Sequence, residues 1–264
     1  MTSSFAPCND LPFAQFVKAF WQTEGRPQYI AETILPKGVV ELIFSFKGTV
    51  AFQQKAALDF RDVPRCFVSG LTDCPLQLRT PQHQVFFGIE LHPAALKKMV
   101  NVPCGEFLNA VTDLEAISKE CSVLWHRLAA AASFNERVAI AKHWILQKRC
   151  ALPDQEMAVS AFLTAPMQPV SVKSLASRFC YSSRQLHRKA RELFGMSTEE
   201  LIQYKRYVHA LQLMHHSNQS LTRIGYDCHY FDQAHFIRAF KDYTGLTPGQ
   251  YRQQRSRLVG HLYQ

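Results

Sequence analysis

Apolar positions along this chain change their period once, and the change divides it. Between residues 39 and 91 apolar side chains alternate with others. In VVELIFSF, Val40, Leu42, Phe44 and Phe46 fall on one face, with Val39, Glu41, Ile43 and Ser45 on the other. That two-residue repeat predicts a strand. QVFFGIEL repeats it, with Val85, Phe87, Ile89 and Leu91 opposite Phe86, Gly88 and Glu90. Pro36, Gly38, Gly48, Pro64, Gly70, Pro75 and Pro81 interrupt the runs, which suits a small barrel or sandwich of short strands.

From Pro93 the period becomes helical. Leu124, Leu128 and Ala131 share one stripe, and Val138, Ala141, Ile145 and Leu146 another. CALPD at 150–154 reads as a linker, and every segment beyond it reads as helix.

The second half repeats itself. LASRFCYSSRQLHRKARELFGMST (175–198) aligns with IGYDCHYFDQAHFIRAFKDYTGLTP (224–248), pairing Leu186 with Phe236, Arg188 with Arg238, Ala190 with Phe240 and Gly195 with Gly245. The offset is 49 before the central break and 50 after it. Each copy predicts a short helix, a turn and a longer helix ended by glycine, which is a helix-turn-helix. Ser182 or Ser183 is placed to cap the first longer helix and Asp232 the second.

At 100° per residue, Leu186, Ala190 and Leu193 lie opposite Arg184, Arg188 and Arg191, with His187 at the flank. Phe236, Phe240 and Tyr243 lie opposite Ala234, Arg238 and Lys241. A cationic stripe repeated in two such helices suits DNA, because arginine in the major groove donates twice to one guanine. TEELIQYKRYVHALQLMHHSNQS lies between the copies, with Leu201, Tyr204, Val208, Leu211 and Leu213 as its apolar stripe. A helix of about 18 residues spans roughly 27 Å, against about 34 Å between successive major grooves on one DNA face.

Charge sharpens this picture. The chain carries +9, and from Ser160 onward 14 Lys/Arg stand against 6 Asp/Glu, leaving +1 for the first 159 residues. A basic second half implies a polyanionic partner. No apolar run reaches the length of a spanning helix, and MTSSFAPCNDLPF lacks the pattern of a signal peptide, so the expected location is the cytoplasm. Eight cysteines, at 8, 66, 74, 104, 121, 150, 180 and 228, show neither C-x-x-C nor zinc spacing and read as buried thiols, Cys180 beside Phe179 among them. His83 and His92 are nine residues apart, and no H-x-H of a cupin metal site occurs near them. No metal, no cofactor, no G-x-S-x-G nucleophile and no enzyme activity are expected.

Residues from about 160 to 254 resemble the AraC/XylS family of bacterial transcription regulators. SLASRFCYSSRQLHRKARELFG, KRY at 205–207 and DQAHFIRAFKDYTGLTPGQYR carry the resemblance. LPKGVVELIFSF, FFGIELHPAAL and DLEAISKECSVLWHRLAAAASFNERV are similar to the shorter N-terminal domains of one subgroup. The resemblance implies an α+β fold. A cupin-like β-barrel with appended helices, for sensing or dimerisation, fills 1–150. An all-α DNA-binding domain fills 154–255, with helix-turn-helix motifs at about 172–195 and about 220–245 joined by a long helix.

The implied DNA contacts are Arg184, His187 and Arg188 from the first reader and Gln233, Ala234, His235 and Arg238 from the second, with Arg191 and Lys241 completing the stripes. The implied partners are a double-stranded DNA operator, RNA polymerase, a small-molecule effector and a second copy of the chain, with no membrane. Phe44, Phe46 and Phe87 either line a ligand pocket or fill the barrel core. Leu124, Leu128 and Ala131 either form a dimer seam or pack on the barrel. Cys180 and His229 replace the family's turn glycines, Thr198 a proline and His92 an arginine. The alternative reading is a ligand-independent architectural DNA-binding protein whose N-terminal domain only oligomerises.

Overall fold

A computed structural model describes residues 2–10, 12–54, 59–148 and 153–264. Cys150, Ala151 and Leu152 of the expected linker lie outside the described residues. Ten strands precede or interleave the first helices: β1 Thr2–Pro7, β2 Val17–Gly25, β3 Ala31–Ile34, β4 Val40–Lys47, β5 Ala51–Gln54, β6 Arg61–Asp62, β7 Cys66–Ser69, β8 Leu76–Arg79, β9 Gln84–Leu91 and β10 Val111–Asp113. A last strand, β11 His261–Tyr263, comes after all the helices. One sheet runs β1-β2-β9-β4-β7-β10 and the second β11-β3-β8-β5-β6, every described pairing antiparallel. Sheet followed by helices is the expected α+β arrangement.

The first sheet is covered on both faces. Val40, Leu42, Phe44 and Phe87 are fully buried on the face covered by helices α1 Pro93–Val100, α2 Leu114–Ile117, α3 Glu120–Ala130 and α4 Phe134–Gln147. Phe87 meets Phe134 of α4 at 6.2 Å between ring centroids, and Phe46 meets Trp125 of α3 at 6.0 Å. The opposite face turns Trp21, Ile43, Phe67 and Phe86 toward Leu78 of the second sheet and Val50 just before β5.

Leu124, Leu128 and Ala131 are buried in the chain's own core, so packing on the sheet accounts for them and the seam does not form from them. Leu146 departs from its expected stripe and stands 48% exposed, while Trp144 and Ile145 are buried. Arg137, on the same helix, faces inward. Its guanidinium donates to Leu128 O (3.0 Å), Ala131 O (3.1 Å) and Gln22 Oε1 (2.7 Å), which satisfies the last carbonyls of α3.

Beyond these come α5 Asp154–Ser160, α6 Val172–Arg178, α7 Ser183–Phe194, α8 Thr198–His216, α9 Leu221–Asp227, α10 Gln233–Thr244 and α11 Pro248–Gln254. α8 ties the two halves together. Its Tyr204 hydroxyl accepts from Gly38 N–H at 3.1 Å and donates to Thr72 O at 2.8 Å, and a Cβ on Gly38 would lie 3.2 Å from the Val208 methyls. β11 then returns to the edge of the second sheet and pairs with β3.

Candidate nucleic-acid interface

Two helix-turn-helix units build the interface, α6–α7 and α9–α10, and the local chemistry of each explains its geometry. Ser182 caps α7: its Oγ accepts from Gln185 N–H at 3.2 Å, and Gln185 Oε1 accepts from Ser182 N–H at 2.8 Å. Asp232 caps α10, accepting from His235 N–H at 2.7 Å. Gly195 and Gly245 end the two helices at φ of 72° and 74°, in the left-handed region glycine reaches without strain.

The turns carry strain instead. Cys180 and His229, 49 residues apart, hold φ of 55° and 58°. Cys180 is exposed, contrary to the expectation of a buried thiol, because the left-handed turn directs it away from the core. A side chain in this conformation costs about 1 kcal/mol. We therefore expect His229→Gly to raise the unfolding free energy by about 1 kcal/mol in urea titration. Unchanged DNA affinity in that variant would leave His229 as a strained turn residue, whereas a loss would assign it a phosphate contact.

The longer helices separate their two residue types as the spacing predicts. Leu186, Ala190, Leu193, Phe236 and Phe240 are fully buried. Arg184, His187, Arg188 and Arg191 of α7 are exposed, as are Gln233, Ala234, Arg238 and Lys241 of α10. Among the described residues none forms an ion pair or hydrogen bond with the side chains of Arg184, Arg188, Arg238 or Lys241. Arg191 differs, because its guanidinium donates to Gly195 O at 3.1 Å and pairs with Glu200 at 3.6 Å. Gln233 Oε1 accepts from Thr222 Oγ1 at 3.0 Å. His235 is half-buried, its ring edge-on to Tyr230 at 5.3 Å.

Phe231, unmarked by the sequence pattern, is 92% exposed directly before the cap of α10, and Tyr226 nearby is 74% exposed. The repeat held the available signal. Phe231 aligns with Tyr181, which is partly buried against the core, so the second copy presents an aromatic that the first withdraws.

The first reader is seated on the N-terminal half. A Cβ on Gly105 would lie 2.1 Å from Arg191 O and 2.8 Å from Gly195 N, so the 3-10 turn Cys104–Phe107 meets the end of α7 backbone to backbone. Lys189 of α7 donates to Glu156 (2.5 Å) and Glu192 (2.9 Å), and Lys97 of α1 donates to Glu156 (3.2 Å) and pairs with Glu192. Burial opposes ionisation of Glu156 and Glu192, but the two ammonium groups outweigh it and hold both carboxyls below their ordinary range.

A cavity of about 530 Å³ lies between the sheets. Trp21, Phe52, Phe67 and Phe86 line it with Glu32, Glu41, Glu90 and Lys37, together with Gln212 of α8 and Leu258, Val259, His261 and Tyr263 of the returning segment. Phe44 and Phe87 do not line it; they face the helices, and Phe46 packs on Trp125. Burial, reinforced by Glu41, pushes the Glu90 carboxyl up. Among the described residues no cluster of histidine, cysteine and carboxylate suits a metal, and no helix is long and apolar enough to cross a membrane.

Residues 175–254 match a family described as a helix-turn-helix domain, and residues 3–113 a family described as a domain of unknown function, DUF6597. The HTH-type transcriptional activator RhaS of Escherichia fergusonii is 34% identical over 88 residues, 33% of this chain and 32% of that protein. RhaS of Citrobacter koseri is 32% identical over 92 residues, covering 35% and 33%. The match thus spans about a third of the length of these curated relatives. The crystal structure of ToxT from Vibrio cholerae O395 aligns with 89% of this chain and 97% of its own at a TM-score of 0.50 and 11% identity, a likeness of fold across both halves.

Proposed function

Residues 175–254 are an AraC-type helix-turn-helix domain, and from that premise we propose that the chain is a transcription regulator that reads a bipartite DNA operator with α7 and α10 in successive major grooves. The carrying observation is the pair of exposed cationic faces, at matching repeat positions, on which Arg184, Arg188, Arg238 and Lys241 have no protein partner among the described residues, Arg191 alone being braced. An unpaired arginine stripe opposite a fully buried apolar stripe is a surface arranged for a polyanion.

In this reading Arg188 and Arg238 reach base edges, while Arg184 and Lys241 meet phosphates. His187 and Gln233 flank these contacts, and the Ala234 methyl meets a thymine methyl. Arg191, braced by Gly195 and Glu200, sets the end of α7, and half-buried His235 supports the turn. The 19-residue α8 spans about 28 Å, and a modest DNA bend brings grooves about 34 Å apart onto both readers. The intersheet cavity is the effector site, since its wall includes residues from both halves. RNA polymerase is the downstream partner.

The spacing is directly testable. Inserting about 5 bp between half-sites turns the second groove to the far side of the duplex. Affinity should then fall to that of one half-site; full retention would sink the single-chain bipartite reading. Phe231 adds a smaller expectation. Phe231→Ser should weaken operator binding by about 1 kcal/mol through loss of apolar contact with thymine methyls, while leaving the unfolding free energy unchanged. Equal binding by both proteins would make Phe231 an ordinary exposed aromatic.

A further inference from the structure

We propose that the intersheet cavity binds a compact organic cation, an apolar body ending in an ammonium group held between Glu41 and Glu90, with β11 closing against it. This rests on the effector reading above and gives it a ligand chemistry.

Glu41 and Glu90 are register partners on β4 and β9. Glu41 Oε1 accepts from Trp21 Nε1 at 2.8 Å, and its Oε2 faces Lys37 at 3.7 Å. Among the described residues no hydrogen bond is donated to the Glu90 side chain, although it lines the cavity. The wall as a whole carries three carboxylates, Glu32, Glu41 and Glu90, against one ammonium, Lys37. Burial and Lys37 push the His261 pKa down against the pull of Glu32, which its ring contacts. Lys18, outside the lining, is the further cation facing Glu90 and Glu41.

Two adjacent carboxylates in a desolvated space repel, and a bound cation relieves both. The rest of the wall selects the same sign. Trp21, Phe52, Phe67 and Phe86 line the cavity, and a ring face turned to an occupant attracts a cation and repels an anion through its negative quadrupole. The cavity volume suits a small drug-sized molecule.

The closing element reaches the DNA-reading half. Gly260 O accepts from Leu35 N–H at 2.7 Å, His261 meets Glu32 at 2.5 Å, and Tyr263 stacks on Tyr29 at 4.0 Å between centroids. Upstream, Arg255 donates to Met214 O and His215 O, the last carbonyls of α8. An occupant touching His261 and Tyr263 therefore bears on the segment that holds α8 and α11 to the sheet.

The test titrates the full-length protein by calorimetry with three probes of one shape: 4-phenylbutylamine, 4-phenylbutanol and 4-phenylbutyrate. The amine should bind at least about tenfold more tightly than either of the others. Glu41→Gln and Glu90→Gln should each remove most of that preference. Failure of all three probes to bind wild type, equal or tighter binding of the alcohol or carboxylate, or an amine preference surviving in both variants overturns the proposal. The wild-type ranking decides it even where a variant fails to fold. A parallel operator titration with saturating amine separates the two readings: unchanged DNA affinity beside intact amine selectivity sinks effector control and leaves the cation site standing.

Discussion

Alanine at both Arg188 and Arg238 should lower operator affinity by about 2–6 kcal/mol, roughly the sum of two bidentate contacts of 1–3 kcal/mol each. The two side chains belong to different helices separated by the 19-residue α8, so their losses should add. Neither is held by a protein partner among the described residues, so neither removal leaves a buried group unsatisfied, and the unfolding free energy should stay within about 0.5 kcal/mol of wild type. Each single variant should relax discrimination at one base position in its own half-site and leave the other intact. Arg191→Ala, whose guanidinium serves Gly195 and Glu200, should cost less in affinity. A double variant with wild-type operator affinity would remove both helices from the role of readers.

Phe240→Ala should destabilise the protein by about 3–5 kcal/mol, the range for deleting a fully buried aromatic. Phe240 is fully buried, with ring centroids 5.7 Å from Tyr207, 5.9 Å from Phe236 and 5.7 Å from Tyr251, so it joins α8, α10 and α11. Its repeat counterpart is Ala190, equally buried. The difference follows from the neighbours. α7 lies against α1, α5 and the Cys104–Phe107 turn, whereas α10 packs Phe240 among the rings of Tyr207, Phe236 and Tyr251. Urea unfolding checks the value, and a loss below about 1 kcal/mol would mean that the aromatic cluster does not organise the second reader.

The reading helices were legible because three independent signals agreed. Caps at Ser182 and Asp232, glycines at 195 and 245, and the apolar spacing all predicted the same two segments, and a repeat checks itself. The strands were legible as strands, yet their inward face was not. On β4 and β9 both faces are apolar enough to be buried, so alternation alone could not tell the helix-covered side of Phe44 and Phe87 from the cavity side of Ile43 and Phe86. For the same reason Glu41 and Glu90 resembled outward polar positions, although the second sheet encloses them. β11 escaped notice because a three-residue strand is too short to display a period, and of its residues only Leu262 is buried. Arg137 was invisible for a different reason: its burial depends on carbonyls at the end of α3, and those become unsatisfied only once the corner is formed.

Hydroxyl-radical footprinting of the full-length chain on a genomic binding site tests the central claim most directly. Two protected patches should appear on one face of the duplex, centred about 10 bp apart, with Arg188→Ala at saturating protein weakening protection mainly in one and Arg238→Ala mainly in the other. A single patch, or two that both vanish in the same single variant, would contradict a chain that reads two grooves with two helices.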